Sequence, residues 1–429
     1  MTEPYVGQKV PVTSTTEGAT WNRTSEPLVT GNYTTRYNNV TVTSSMLQKS
    51  TGNVSAPEGC YTIQFEEMEF LPWDNPDNIV SAEVEDMTRR LKDRVFLPLL
   101  LLIGGPANVI NMAVFYRQGL RERVNLCLFA LSLADGFFLV QAMFLYGADQ
   151  LVLPFDTKER YGPVARFLAD NKLVGLFGFV FVSQILTAII ASERCLCVLM
   201  PLRYQTLLQT RTMAVIIVGV YVVVMGLYLF VASRYRVVCV FDPISDTVMY
   251  RSGTTDFYQQ HKKLFLYLDS FVFGAAIPVV VILVVTTTTI ITAVKIRQAA
   301  LWRAGTSSAS SSSNNNSSTT PPLISPKEIA LTKMLIANSV LFIACVLPIA
   351  LLRIPWLILP EMDIGRRNHN FYFLSEWIKE LLSYFNATFN IFVFYAMGSR
   401  YRQTFWELLG RKKRDKATEN PSTTRKTNI

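Results

Sequence analysis

VNLCLFALSLADGFFLVQAMFLYGA, residues 124–148, carries a single charge, Asp135, in 25 mostly apolar residues. About 20 such residues cross a bilayer as an α-helix. Working outward, six more runs have that length: Val95–Tyr116 before it, then Leu173–Ser192, Thr212–Ser233, Leu264–Val294 with one acid at Asp269, Met334–Leu352 and Leu381–Ser399. One run near this length reads equally well as a buried helix of a soluble protein; seven together do not. The whole chain agrees. Half of its 429 residues are apolar, 17% are charged and the mean hydropathy is +0.25, where a soluble protein carries about 25% charged residues. That balance argues against a cytosolic enzyme, a disordered protein and a coiled coil. The sequence predicts an all-α fold, a bundle of seven transmembrane helices.

Loops that stay in the cytoplasm keep positive charge. The loop 117–123 has Arg117, Arg121 and Arg123 against Glu122, and 295–333 has five bases against Glu328. From residue 398 onward nine bases face three acids, whereas residues 1–88 hold four bases against twelve acids. The N-terminus is therefore expected outside and the C-terminus inside, and the overall charge of +9 is a topology signal with no call for nucleic acid. Four Asn-X-Ser/Thr acceptors, Asn22, Asn32, Asn39 and Asn53, fit a glycosylated extracellular tail. The polar start MTEPYVGQKV lacks an apolar core, so the first span is expected to insert as its own signal anchor.

Of six cysteines, only Cys60 and Cys239 fall on the oxidising side. They pair in a disulfide that pins the tail over the extracellular mouth, or they stay as separate thiols. Residues 81–94 read as a helix running into the first span. Residues 306–320 (TSSASSSSNNNSSTT) are low-complexity, within a flexible loop 299–326. The Ser/Thr residues there and in the tail are candidate phosphate acceptors. After the last span Tyr401, Phe405, Leu408 and Leu409 recur at helical spacing among bases, the pattern of a short amphipathic helix on anionic lipid. The organisation is a largely disordered tail 1–94, a membrane domain 95–399 and an amphipathic helix with basic tail 400–429.

An ionisable side chain inside a span is costly and needs partners. Asn108, Ser183, Asn386 and Asn390 are polar groups of other spans that can surround Asp135. Asn386 and Asn390, four residues apart, share a helical face. A carboxylate ringed by hydroxyl and amide oxygens suits a hard cation such as Na⁺; the alternative is a hydrogen-bonded polar core. At the inner end of the third span Glu193 and Arg194 stand beside each other, and Glu328 stands at the matching end of the sixth. An Arg194–Glu328 pair would latch two helix ends that can also separate; the alternative is an ordinary charge cluster.

These motifs, in this order, resemble the rhodopsin-like G-protein-coupled receptors over roughly residues 95–410. The likeness rests on Asn108 in GPANVIN, Asp135 in LSLAD, Glu193-Arg194-Cys195 followed by Pro201-Leu202-Arg203-Tyr204, and Pro278 in the fifth span. Phe342, Cys345 and Pro348 in the sixth and Asn390 in the seventh complete it. The resemblance implies a sodium site at Asp135, Ser183, Asn386 and Asn390 and an inactive-state lock at Arg194 and Glu328. It also implies activation switches at Pro278, Phe342, Cys345, Pro348, Phe394 and Tyr395. Its implied partners are a heterotrimeric G protein, an extracellular ligand, and a receptor kinase and arrestin. The chain departs from the family at Val346, where the family carries Trp, and at Ile391, where it carries Pro. It also departs at Phe394-Tyr395, where the family has one Tyr, and at the outer end of span three, which has no cysteine near Ala169. The family's usual disulfide is thereby lost, which favours Cys60–Cys239.

The string NATFNIFVFYAMGSRYRQTF looks like that of divergent molluscan chemosensory and peptide-type receptors. Leu176 and Tyr384 stand where amine receptors and opsins carry their ligand-binding Asp and Lys, which disfavours an amine or retinal. The rim residues Lys172, Arg353, Glu376, Trp377, Lys379 and Glu380, with Leu176, suit a peptide or a small zwitterionic cue; solvated rim charges are the alternative. No catalytic constellation is visible, since His261 and His369 both lie at the rim. The competing class is a transporter or channel using Asp135 and Asp269, but the inverted repeats it predicts are not found. The expected protein is a multi-pass plasma-membrane receptor with no cofactor beyond an allosteric Na⁺.

Overall fold

Each predicted span becomes a helix, and the residues at its ends explain where it stops. The computed structural model of the chain describes residues 47–49, 60–63, 75–143, 177–200, 209–242, 247–310, 326–362 and 367–410, all within the unit Val42–Ile429. Span one is α1, Leu97–Gln118, opened by a proline in its first turn, where the missing N–H is no loss. It closes at Gly119, whose φ of 100° few other residues adopt. Span two is α2, Arg123–Ala142, and span three is α3, Gly178–Leu199. α3 runs past Ser192 through the Glu193-Arg194 pair and ends one residue before Met200, which precedes Pro201 and is pushed out of the helical region. Its expected first residues, from Leu173, lie outside the described residues. Span four is α4, Thr210–Ala232.

Span five enters as a π-helix, Tyr267–Ala276, and continues as α5, Ile277–Ser310. Pro278 has no N–H to return to the carbonyl four residues back, which accounts for the widened turn just before it. Span six is α6, Pro326–Ile358, with Pro348 and Pro355 inside it. Span seven is α7, His369–Met397, and a short helix α8, Ser399–Leu408, follows. Among the described residues six helices are long and apolar enough to cross a membrane. α7 is the seventh of the bundle, and is more polar because it carries Asn386, Asn390 and the rim charges of its first turns.

α3 lies at the centre and touches α2, α4, α5 and α6. The largest apolar core runs from Val114 and Phe115 through Leu128, Leu131, Val182 and Leu186 to Met334 and Phe394. Val215, Val218 and Val222 of α4 and Val280, Leu283 and Ile290 of α5 face outward. That pattern belongs to a bundle whose solvent is lipid. Gly104 lets α1 approach α7: a Cβ there would collide with Thr388.

Two of the expectations are corrected, on the loop after α5 and on Tyr401, and a small sheet is added to the helices. The loop 299–326 is helical as far as Ser310, because Ala299, Ala300 and Leu301 propagate α5 and no proline interrupts it. The N-terminal tail is built into the fold at β1 (Leu47–Lys49), β2 (Tyr61–Ile63) and a helix Ala82–Leu91. That helix is capped by Ser81 and joined to α1 through a π turn, Lys92–Phe96. The hairpin β3 (Tyr235–Asp242) and β4 (Thr247–Thr254), rich in β-branched and aromatic residues, completes a sheet of order β1-β2-β3-β4 at one end of the bundle. β2 runs parallel to β3 with Tyr61 opposite Val240. Tyr401 of α8 is buried against the bundle, so it does not face lipid: its hydroxyl donates to Asn111 Oδ1 at 2.5 Å and its ring packs on Phe115 and Phe394.

Cys60 and Cys239 are joined by a disulfide with Cα atoms 4.6 Å apart, which closes a loop across 179 residues of sequence. Replacing both with Ala is expected to lower folding stability by about 2–4 kcal/mol, read as a fall in the thermal unfolding midpoint. Reducing agent should lower the wild type by the same amount and leave the double variant unmoved.

Candidate functional site

Asp135 is buried at 2% exposure, where an unpaired charge could not persist. Both of its oxygens are satisfied: Ser183 Oγ of α3 donates to Oδ1 at 2.7 Å and Asn390 Nδ2 of α7 donates to Oδ2 at 2.8 Å. Three helices therefore meet on one carboxylate. Asn108 takes a different part. Its Nδ2 donates to the carbonyls of Gly104 and Ala387, at 3.0 and 2.9 Å, and so ties α1 to α7. Asn386 is half-buried and has no hydrogen-bond partner among the described residues, so of the asparagine pair only Asn390 reaches Asp135.

At the end of the bundle that carries α8, a cavity of about 940 Å³ opens between α1, α2, α3, α6 and α8. Glu193, Arg194, Glu328, Arg400 and Tyr401 are on its wall. The Arg194 guanidinium is held by its neighbour, with Nη2 donating to Glu193 Oε1 at 2.7 Å and Nε to Oε2. Glu328 faces the same space from α6. Arg400 forks onto both oxygens of Glu122, at 2.9 and 2.7 Å, and anchors α8 to the α1–α2 turn.

At the sheet-bearing end the rim charges are paired with one another. Glu376 bridges Lys379 beside it and Arg353 of α6, the latter at 3.6 Å. Glu380 accepts from Lys92 Nζ at 2.7 Å, and that ammonium also stands 4.1 Å from the centre of the Trp377 ring. Trp377 Nε1 donates to Glu85 Oε1 at 2.8 Å, and Asn370 Nδ2 to the carbonyl of Val80 at 3.0 Å. Trp377 and Glu380, read from sequence as ligand contacts, thus hold the helix Ala82–Leu91 and its π turn onto α7. Glu376 and Glu380 serve different partners despite sharing a face. Lys172 and Leu176 lie outside the described residues, as do Asn22, Asn32, Asn39 and Asn53.

The remaining sequence candidates line the bundle's centre. Phe342, Val346 and, on α3, Ala188 and Ala191 form a small apolar cluster with Val281 and Val285 of α5. Cys345 is buried beside it. Phe394 is fully buried, its ring 5.4 Å from Phe115, while Tyr395 is half-exposed and packs on Phe405. Lys92, Asn111 and Tyr401 were missed as structural ties, and the only sequence signal for Lys92 is a base one turn ahead of an apolar run.

Seven helices around an intramembrane carboxylate, with Arg194 at one end, match the family model described as 7 transmembrane receptor (rhodopsin family) over residues 107–394. The chain belongs to this family. No individual curated protein matches it. Members are receptors rather than enzymes, and this one is a multi-pass membrane receptor. The ion-path alternative is not favoured: Asp269 is paired with Arg234 near the sheet, on a different part of the bundle from Asp135.

Breaking the buried Lys92–Glu380 pair on one side leaves a buried charge, so Lys92→Met is expected to cost this receptor about 3 kcal/mol. Lys92→Met with Glu380→Gln should recover part of that loss, since Asp93 Oδ1, 3.0 Å from the same ammonium, also loses its cation; a double-mutant cycle on thermal unfolding measures the difference.

His369, the first residue of α7, is pushed down from its ordinary 6.5 to about 4 by burial. Its folded pKa lies below the unfolded one, so the neutral form's stability is complete above about pH 6.5 and is lost as pH falls toward 4. His369→Gln is expected to flatten the thermal midpoint over that window, with the wild type as reference.

Proposed function

We propose that this receptor binds an extracellular ligand at the sheet-bearing end and activates a heterotrimeric G protein through the cavity at the other end. The N-terminus would be outside and α8 on the cytoplasmic leaflet, in keeping with the Lys/Arg balance. The observation that carries the reading is the pairing of a central Asp135–Ser183–Asn390 cluster with a polar cavity at Arg194, two sites on the same helices. A ligand that shifts α6 or α7 changes the packing around both, and a partner that enters the cavity favours the same arrangement, as reciprocal coupling requires. In the open arrangement Arg194 exchanges Glu193 for groups of the G protein, and Glu328 moves away with α6.

The ligand is a peptide or a small mixed-charge chemosensory cue of the kind molluscan chemosensory and neuropeptide receptors take. Arg353 and Lys379 provide cations and Glu376 a carboxylate on adjoining faces of α6 and α7. Serines and threonines of the loop after α5 and of the C-terminal tail are the sites for a receptor kinase, followed by arrestin.

A sodium ion fits the central cluster. Asp135 gives a full negative charge, Ser183 a hydroxyl oxygen, and Asn108, which packs against Gly136, a buried amide oxygen with no hydrogen-bond partner among the described residues. When bound, Na⁺ supplies positive charge that holds the carboxylate ionised and the three helices together.

G-protein dissociation in cells, driven by amidated peptides, amino acids and small odorants, tests the reading. Arg194→Ala is expected to abolish the response at unchanged surface expression, and Glu328→Ala to raise basal signalling. A substrate or ion flux that depends on Asp135 would sink it. Raising Na⁺ should weaken agonist binding to the wild type and leave Asp135→Asn unaffected.

A further inference from the structure

The helical stretch that contains span one, Ala82–Gln118, is 37 residues long. At 1.5 Å per residue it covers about 55 Å, against about 30 Å for the hydrocarbon of a bilayer. Its apolar run begins at Val95, so the helix Ala82–Leu91 stands clear of the membrane core. One face of this projecting part is occupied, through Glu85 on Trp377 and Lys92 on Glu380 of α7. Another face is apolar and exposed. Val84, Met87 and Leu91 lie on it, Met87 at 60% exposure. The same rhythm of three or four residues continues through Val95, Leu99 and Leu102 onto the lipid-facing side of α1.

These side chains form one seam that passes from water into hydrocarbon without a break. Lipid tails cover its lower part. Met87 and Val84 stand about 12–17 Å above Val95 along the axis, beyond the reach of acyl chains. Two cations flank the seam beside Leu91. Arg90 is exposed and pairs with Asp86 of its own helix at 2.9 Å. Arg94 is exposed, with no ion pair among the described residues.

We infer that this seam docks a single-span membrane protein. The partner's span lies along α1, and its juxtamembrane helix sets apolar residues on Met87 and Leu91 and acidic ones on Arg90 and Arg94. Three physical points select that occupant. The seam is continuous across the membrane boundary, so a partner that covers all of it needs a part in each phase. A soluble helix would meet only the upper three residues, and a segment that short is marginal as an isolated helix. Anchoring in the bilayer aligns the partner and raises its local concentration, which removes much of that cost. A second copy of this chain is disfavoured by charge. In a two-fold pair of parallel spans each seam residue meets its own counterpart, which would set Arg94 against Arg94.

The test uses the full-length receptor in phosphatidylcholine nanodiscs with a synthetic probe. The probe is a leucine-alanine span with a helical extension that carries leucines on one face, glutamates beside them and a benzophenone. A second probe has lysines in place of the glutamates. The glutamate probe should crosslink within residues 82–95. It should bind about twofold to fivefold more tightly than the lysine probe for each ion pair formed, the range of an exposed salt bridge. Arg90→Glu with Arg94→Glu should reverse that preference. Met87→Glu, at an exposed position, should weaken both probes by about tenfold or more with no change in the thermal midpoint. Equal binding of the two probes would overturn the inference, as would a preference that the double charge reversal leaves in place. So would crosslinks spread over the other lipid-facing helices, or joining residues 84–94 to a second copy of the receptor. None of these outcomes depends on G-protein coupling.

Discussion

A carboxylate in hydrocarbon must be partnered, and in this receptor the need is met by Ser183 and Asn390 on Asp135. Each bond alone is modest, worth about 1.5–3 kcal/mol when one partner is charged. Losing either is expensive because a buried oxygen would then stand without a donor. The two bonds fix the rotation of α3 and α7 about their axes, since one helical position either way would point Ser183 or Asn390 elsewhere. With those rotations set, Asn108 reaches the carbonyl of Ala387, Gly104 lies under Thr388, and the apolar core closes around Leu128, Leu186 and Phe394. The lipid-facing helix α4 has a lighter polar tie, the Tyr221 hydroxyl donating to the carbonyl of Ala130 in α2 at 2.7 Å. The outward valines and isoleucines of α4 and α5 need only hydrocarbon.

The two ends of the bundle solve a different problem, because charges there can meet water. At the sheet-bearing end the chain folds its own N-terminal segment onto α7 through Lys92, Trp377 and Asn370, and a disulfide holds the sheet that precedes it. At the other end Arg400 and Tyr401 bind α8 to α1 and to the α1–α2 turn. α7 is therefore fastened at both tips and at its middle. On the proposed reading, a charged ligand at the rim would have to replace the ion pairs that Glu376 already makes.

The spans were legible because hydropathy over 20 residues reports the solvent a helix needs, and Asp135 because one acid in such a run is conspicuous. Ser183 and Asn390 followed from the requirement that it be paired. Asn386 did not reach it, because the four-residue spacing gives a common face and not a common depth. The sheet was hidden: YRVVCVF and the tail strands are short segments whose pairing depends on a long-range crosslink, and period-two patterns of that length read as loop. Nothing in the sequence singles out Lys92, because its partner Glu380 lies 288 residues away. The extension of α5 was missed because a Ser-rich composition argues for coil, while an established helix propagates through it at little cost per residue.

Where the family carries a proline in span seven, this chain has Ile391, and the consequence is mechanical. Ile391 restores an N–H to the ladder and removes the ring that would press on the carbonyl a turn earlier. α7 runs from His369 to Met397 with no interior proline, while α6 has two, Pro348 and Pro355. Kinks and bends collect where ladder bonds are missing; α6 has two such places, against one each at Pro106 in α1 and Pro278 in α5 and none at a proline in α7. The Trp replaced by Val346 points the same way. A smaller side chain, buried in the cluster of Ala188, Val281 and Phe342, leaves α6 less tightly keyed to α3 and α5 than a large ring would. On the proposed reading, a triply anchored α7 beside a twice-interrupted α6 would make α6 the more compliant of the two and the better carrier of a signal between the ends.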